Sequence, residues 1–188
     1  PLMTRPLRRP ATNEAVLLWI LHRFGEEFTR RAVVKGGMAL RLAGCPRSTT
    51  DIDYVFFPAA SKRKLAPQVR KGLAELEGAE VEVTVNSRML RATILLDEAR
   101  VQVEASLADE CPSEPMSTGE MASALGQPAQ IVRVMSFPLA LAHKLAAWNE
   151  RRLLRDLYDA YFLRARMSVR VDRAALEARL AQVESRHP

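Results

Sequence analysis

Apolar residues at Val16, Leu17, Ile20 and Leu21 recur at helical spacing. With Asn13 or Thr12 as a cap they predict a helix running to about Phe24. Ala32-Val33-Val34 reads as a short buried strand, halted by Gly36-Gly37, and helical spacing resumes from Met38 to Leu42 before Gly44 stops it. Asp51 to Phe57 is a strand by its β-branched and aromatic content. Pro58 and Ser61 open a basic amphipathic helix through Leu76, with a disturbance expected at Pro67. Period-two alternation then predicts three strands, Val81 to Val85, Leu90 to Leu96 and Val101 to Leu107. Asp109 to Gly119 reads as a loop, and Ile131 to Val134 as one more short strand. From Leu139 onward the pattern is helical: Leu139 to Arg151, Leu154 to Met167 and Asp172 to Glu184. The class this order predicts is α+β, with a mixed-sheet core over residues 1–135 and a helical subdomain over 136–188.

Composition adds exclusions. With 48% hydrophobic and 27% charged residues the chain is neither disordered nor fibrous. No apolar run reaches the roughly 20 residues of a membrane span, and Val16 to Leu21, broken by His22-Arg23, is too short for a signal peptide. Cys45 and Cys111 form neither a disulfide framework nor a zinc site, which points to a reduced, cytoplasmic protein. Charge is unevenly distributed. Residues 1–50 carry 9 Lys/Arg against 3 Asp/Glu, residues 51–132 carry 8 against 13, and residues 133–188 carry 11 against 6. An acidic middle between basic ends suits a metal-binding core flanked by polyanion-binding surfaces; arginine-rich helices that merely solvate the chain would look the same.

The residues that bear chemistry are Lys35-Gly36-Gly37-Met38-Ala39-Leu40 and Arg47-Ser48-Thr49-Thr50-Asp51-Ile52-Asp53. Two glycines between a strand and a helix either make a plain turn or let the backbone approach an anion closely. Side chains two apart on a strand share a face, so Asp51 and Asp53 converge. Two such carboxylates repel unless a cation lies between them, and Mg²⁺, which takes carboxylate and phosphate oxygens, is the natural occupant. The alternative is an exposed edge strand, against which Ile52 and Val55-Phe56-Phe57 speak. Glu104, in mid-strand within Val101-Gln102-Val103-Glu104-Ala105, is either a third acid of that site or part of a solvated face. Lys144 lies beside a buried stripe and can extend its ammonium toward a cleft, and Arg155-Asp156 reads on its own as a cap and ion pair.

Taken together, Lys-Gly-Gly-x-Ala-Leu at 35–40, Arg-x-Thr-x-Asp-Ile-Asp at 47–53, a later strand acid, and a Lys followed by Arg-Asp-Leu-Tyr-Asp are a family pattern. The chain resembles the nucleotidyltransferase AbiEii/AbiGii toxin family, including the MenT toxins, within the polymerase-β-like nucleotidyltransferase superfamily. The resemblance implies a polymerase-β-like core followed by a helical bundle. It implies that Gly36 and Gly37, with Lys35, Arg47 and Thr49, hold a nucleoside triphosphate, and that Asp51 and Asp53 bind Mg²⁺ or Mn²⁺; Glu104 is our assignment for the third acid, either as a metal ligand or as the base that takes the acceptor hydroxyl's proton. It further implies that Lys144 neutralises the triphosphate and that Asp156 is the tail aspartate such toxins require. The implied activity is transfer of a nucleotide to RNA, most of all the tRNA 3′ end, blocking translation, with a cognate antitoxin as partner. Two competing readings are nucleotide transfer to a small molecule or a protein, and a non-catalytic nucleic-acid-binding module.

Other features read as structure. His22, His143 and His187 lack metal-ligand spacing, and Trp148, Tyr158, Tyr161 and Phe162 have the spacing of core residues. Lys62-Arg63-Lys64 with Arg70-Lys71 form one helix face, either solvated or in contact with RNA.

Overall fold

A computed structural model of the chain describes residues 10–58 and 61–184, so His187 lies outside them. Helix α1 (Asn13–Phe28) begins where Thr12 accepts a hydrogen bond from the Ala15 N–H at 3.2 Å. It continues one turn past Phe24 because Phe24 and Phe28 both bury against the sheet. Strand β1 (Ala32–Lys35), helix α2 (Gly36–Leu42) and strand β2 (Asp51–Phe56) follow, then α3 (Lys62–Ala74), capped by Ser61. The α3 helix passes through Pro67 without interruption, contrary to the expected disturbance. Pro67 is exposed, so the carbonyl that loses its donor can be solvated.

Strands β3 (Glu80–Val85), β4 (Leu90–Leu96) and β5 (Ala99–Leu107) form a meander. The next segment corrects the sequence reading. The expected loop at Asp109 to Gly119 contains β6 (Ser113–Ser117), followed by the short α4 (Gly119–Ala124) and then β7 (Ile131–Met135). Pro115 masked the strand. It sits at a sheet edge, where a missing N–H costs little.

The seven strands make one mixed sheet in the order β3-β4-β5-β2-β1-β7-β6. Strand β2 runs antiparallel to β1 and parallel to β5. One face is apolar: Ile52, Tyr54 and Phe56 of β2, with Val101 and Val103 of β5, are buried beneath α1 and α3. Four aromatic rings pin α1 there, with Phe28 to Phe56 at 4.9 Å and Phe24 to Tyr54 at 5.2 Å between centroids. Each buried ring stabilises the fold by about 1.5–3 kcal/mol. The opposite face carries the alternate positions Asp51, Asp53, Gln102 and Glu104. Burying one face of β2 thus forces both aspartates onto the other.

The chain divides into two compact units. The first takes the described residues up to Cys111 together with Pro115–Val134; the second takes Pro112–Glu114 and the described residues from Met135 on. The second unit holds α5 (Phe137–Arg151), α6 (Leu154–Tyr161), a π-helical turn over Phe162–Arg166, and α7 (Arg173–Glu184). Helix α6 is inside-out relative to an ordinary amphipathic helix. Asp156 and Asp159 are 0% exposed, while Leu154 is 78%, Tyr158 41% and Tyr161 58% exposed. The expectation that Tyr158 and Tyr161 belong to the core is therefore corrected, and of that group Phe162 alone is buried. Buried charge reversed the helix. The two aspartates find cations inside, and that fixes which face turns in. Among the described residues, no helix is long and apolar enough to cross a membrane.

Candidate active site

In the first unit the sequence-predicted residues meet where β1 passes into α2. Gly36 has φ +67°, a left-handed conformation that disfavours any side chain. A Cβ placed there would also lie 2.6 Å from Oδ2 of Asp53. A Cβ on Gly37 would collide with the Arg47 guanidinium and sit 3.6 Å from the Thr49 hydroxyl oxygen. The Asp53 carboxylate and the Arg47 guanidinium thus lie directly against the two glycines, with Thr49 beside them.

Backbone pairing sets the rest. Lys35 is in register with Asp53 on β1 and β2, and Asp53 with Glu104 on β2 and β5. The Thr49 hydroxyl accepts from the Asp51 N–H at 3.2 Å and donates to the Asp51 carbonyl at 3.1 Å. This local turn fixes the entry into β2 and hence the direction of the Asp51 side chain. Asp51 is exposed, and Asp53, Lys35 and Arg47 are half-buried.

Glu104 stands in the predicted row but is engaged. Arg91, opposite it on β4, donates from Nε at 3.0 Å and from Nη2 at 2.7 Å to Glu104 Oε1. No group of three or more His, Cys, Asp or Glu among the described residues is gathered closely enough to hold a metal ion. Asp51 and Asp53 nonetheless offer the hard oxygen donors that Mg²⁺ takes, and Glu104 would join them by exchanging its arginine for the cation. The donor set fits the metal. Sequence reasoning missed Arg91, although its place in the alternation Leu90-Arg91-Ala92 put it on the polar face.

In the second unit, Lys144 and Asp156 are brought together. The Lys144 ammonium lies 2.8 Å from Asp159 Oδ2 and 3.4 Å from Asp156 Oδ1. Arg151 grips Asp156 with two bonds, Nε to Oδ2 at 2.7 Å and Nη2 to Oδ1 at 2.8 Å. Burial pushes the Asp156 carboxyl up, but the Arg151 and Lys144 cations outweigh it and hold the group below its ordinary value. Its partner is therefore Arg151 rather than the adjacent Arg155. Asp159 was legible but unused: three positions after Asp156 on a helix, it had to share that face.

Comparison with known proteins gives the fold and the family. No curated protein matches the chain. Among solved structures it is similar in fold to an H. pylori protein assigned as a nucleotidyltransferase, with 15% identity and a TM-score of 0.56, over 80% of this chain and 66% of that one. A match to the CdnE cyclic dinucleotide synthase of Elizabethkingia meningoseptica, solved with GTP and Apcpp, has 14% identity and a TM-score of 0.33 over 86% and 66% of the two chains, too low to bear on the fold. The chain spans about two thirds of the length of each of these relatives. The profile of the nucleotidyl transferase AbiEii toxins of type IV toxin–antitoxin systems matches residues 19–188, and the chain belongs to that family.

Proposed function

We propose that the protein transfers a nucleoside monophosphate from a nucleoside triphosphate to the 3′ end of an RNA, with tRNA as the foremost acceptor, and so blocks translation. The observation that carries this reading is the apposition of Asp53 to Gly36 and of Arg47 to Gly37, where only glycine leaves room. Phosphate oxygens can approach the bare backbone at Gly36 and Gly37, and the Arg47 guanidinium and Lys35 ammonium supply positive charge beside them. Asp51 and Asp53 hold Mg²⁺ or Mn²⁺, with Glu104 as the third donor. The cation, when bound, neutralises phosphate charge and polarises the phosphorus under attack.

The reaction needs little covalent work from the protein. An acceptor hydroxyl bonds to the α-phosphorus, the bond to the β-phosphate oxygen breaks, and pyrophosphate leaves. Placement of the reacting atoms and stabilisation of charge supply most of the rate. In the alternative reading Glu104, once released by Arg91, contacts the incoming hydroxyl rather than the metal and takes its proton. Lys144 and Asp156 enter this reading through the family resemblance, as the triphosphate-neutralising lysine and the tail aspartate. A cognate antitoxin is the implied protein partner, and the RNA acceptor places the activity in the cytoplasm.

The test is incubation with α-labelled triphosphates, Mg²⁺ and total RNA. Label is expected in tRNA and absent with Asp53→Asn. Label on the protein itself would turn the reading toward protein acceptors, and the absence of transfer with every triphosphate would favour a binding module.

A further inference from the structure

Strand β3 ends the sheet, and the positions it leaves open follow a rule. The Asn86 N–H donates to the Met89 carbonyl at 3.0 Å across the β3–β4 turn. Hydrogen-bonded and non-bonded pairs alternate in an antiparallel ladder. Thr84, Glu82 and Glu80 therefore spend their backbone groups on β4, and Val85, Val83 and Val81 turn theirs outward. The Arg70 guanidinium 3.4 Å from the Val83 carbonyl oxygen confirms the direction.

A groove of about 680 Å³ runs beside this edge, between β3 and α3. Its floor is apolar, from Ala66, Pro67, Val83 and Val85, and its rim is basic, from Arg63, Arg70 and Lys71. On α3 these residues recur at three- and four-residue steps, so one whole face of the helix looks along the strand. Among the described residues no acidic side chain lines the groove, and Glu80 and Glu82 of β3 alternate onto the other face of the sheet.

We propose that this edge docks an extended acidic segment of a partner protein, which adds an eighth strand to the sheet alongside β3. The outward N–H and C=O groups of Val81, Val83 and Val85 pair with the backbone of the incoming segment. Alternate small apolar side chains of that segment lie on Val83, Val85 and Ala66, its intervening side chains are uncharged because they face Glu80 and Glu82 on the other side of β3, and carboxylates flanking it meet Arg63, Arg70 and Lys71. RNA would also be drawn by the charge, but the groove offers no aromatic ring for a base to stack on, and a sugar–phosphate backbone cannot match alternating donors and acceptors. A second copy of the chain would bring two basic rims together, which like charge disfavours.

The test uses the full chain and a fluorescein-labelled peptide in which Val-Thr-Val-Thr-Val-Thr is flanked by two Glu at each end, with the same peptide carrying Lys in place of Glu as control. Anisotropy is expected to show saturable binding of the Glu-flanked peptide at least tenfold tighter than of the control, weakening with salt. Binding is lost in Val83→Pro, which removes the outward N–H, and is weakened at least tenfold in the Arg63→Glu/Lys71→Glu double variant, which leaves the strand edge intact. Amide exchange read by NMR should slow at Val81, Val83 and Val85 on peptide addition and stay unchanged at Glu82 and Thr84. Equal affinity for the two peptides, unaltered exchange at the three valines, protection of those amides by an RNA oligonucleotide instead, or their protection by self-association at rising protein concentration would each overturn the proposal. None of these outcomes bears on nucleotide transfer, which uses the opposite face of the sheet.

Discussion

The two units each carry a pair of aspartates, and treat them in opposite ways. Asp51 and Asp53 lie two apart on a strand, one exposed and one half-buried, on a sheet face that the apolar side of β2 leaves open. Asp156 and Asp159 lie three apart on a helix, both fully buried, with Lys144 and Arg151 supplying the compensating charge. The first pair stands on an accessible face of its sheet. The second is buried and paired with cations of its own unit. Residue type alone does not mark a site; how far the fold buries the group, and on which element, sets what it can do.

That contrast predicts a hierarchy of effects. The largest falls on activity. Asp53→Asn should reduce nucleotide transfer by about 10²–10³-fold, the scale of losing one charge-stabilising group, with the circular dichroism spectrum and unfolding midpoint unchanged. Gly36→Ala should do comparable damage, because its Cβ enters the space of the Asp53 carboxylate. Next comes stability. Lys144→Met leaves buried carboxylates short of a cation and should cost about 3 kcal/mol in urea unfolding, whereas Asp51→Ala, at an exposed position, should stay within about 0.5 kcal/mol. A Lys144→Met protein as stable as the parent would erase the distinction between the two pairs.

Acid sharpens the comparison further. Asp156 is held below its ordinary carboxyl value of 3.8. The stability it contributes is complete above that value and is lost as the pH falls through the lowered one. Unfolding followed between pH 5 and pH 2 should therefore steepen for the parent chain, and Asp156→Asn should flatten that dependence. A smaller change, and a gain, belongs to the core of the first unit. The Tyr54 hydroxyl is buried among rings with no hydrogen-bond partner among the described residues. Tyr54→Phe should gain about 1 kcal/mol in thermal unfolding.

Much of this was readable from the chain because it rests on local periodicity. The alternation in β2 and β5 placed Asp51, Asp53 and Glu104 on one face, and the pairing of β2 with β5 then set Asp53 beside Glu104. Strand β6 was hidden because Pro115 and Glu114 suppress the strand signal, and edge pairing tolerates both. The Glu104–Arg91 pair needed the register between β4 and β5, which no local pattern states. Helix α6 misled for another reason. Its aromatic spacing was that of a core face, but burying Asp156 and Asp159 with their cations determined the inward side, and Tyr158 and Tyr161 were left outside.

The central claim is that a nucleoside triphosphate and a divalent cation bind jointly over Gly36, Gly37, Asp51 and Asp53. Titration calorimetry with a non-hydrolysable triphosphate, with and without Mg²⁺, addresses it directly. The account predicts that Mg²⁺ tightens binding at least tenfold in the parent chain and has no such effect in Asp51→Asn/Asp53→Asn. Equal affinity with and without the cation, or the same enhancement in the double variant, would contradict it.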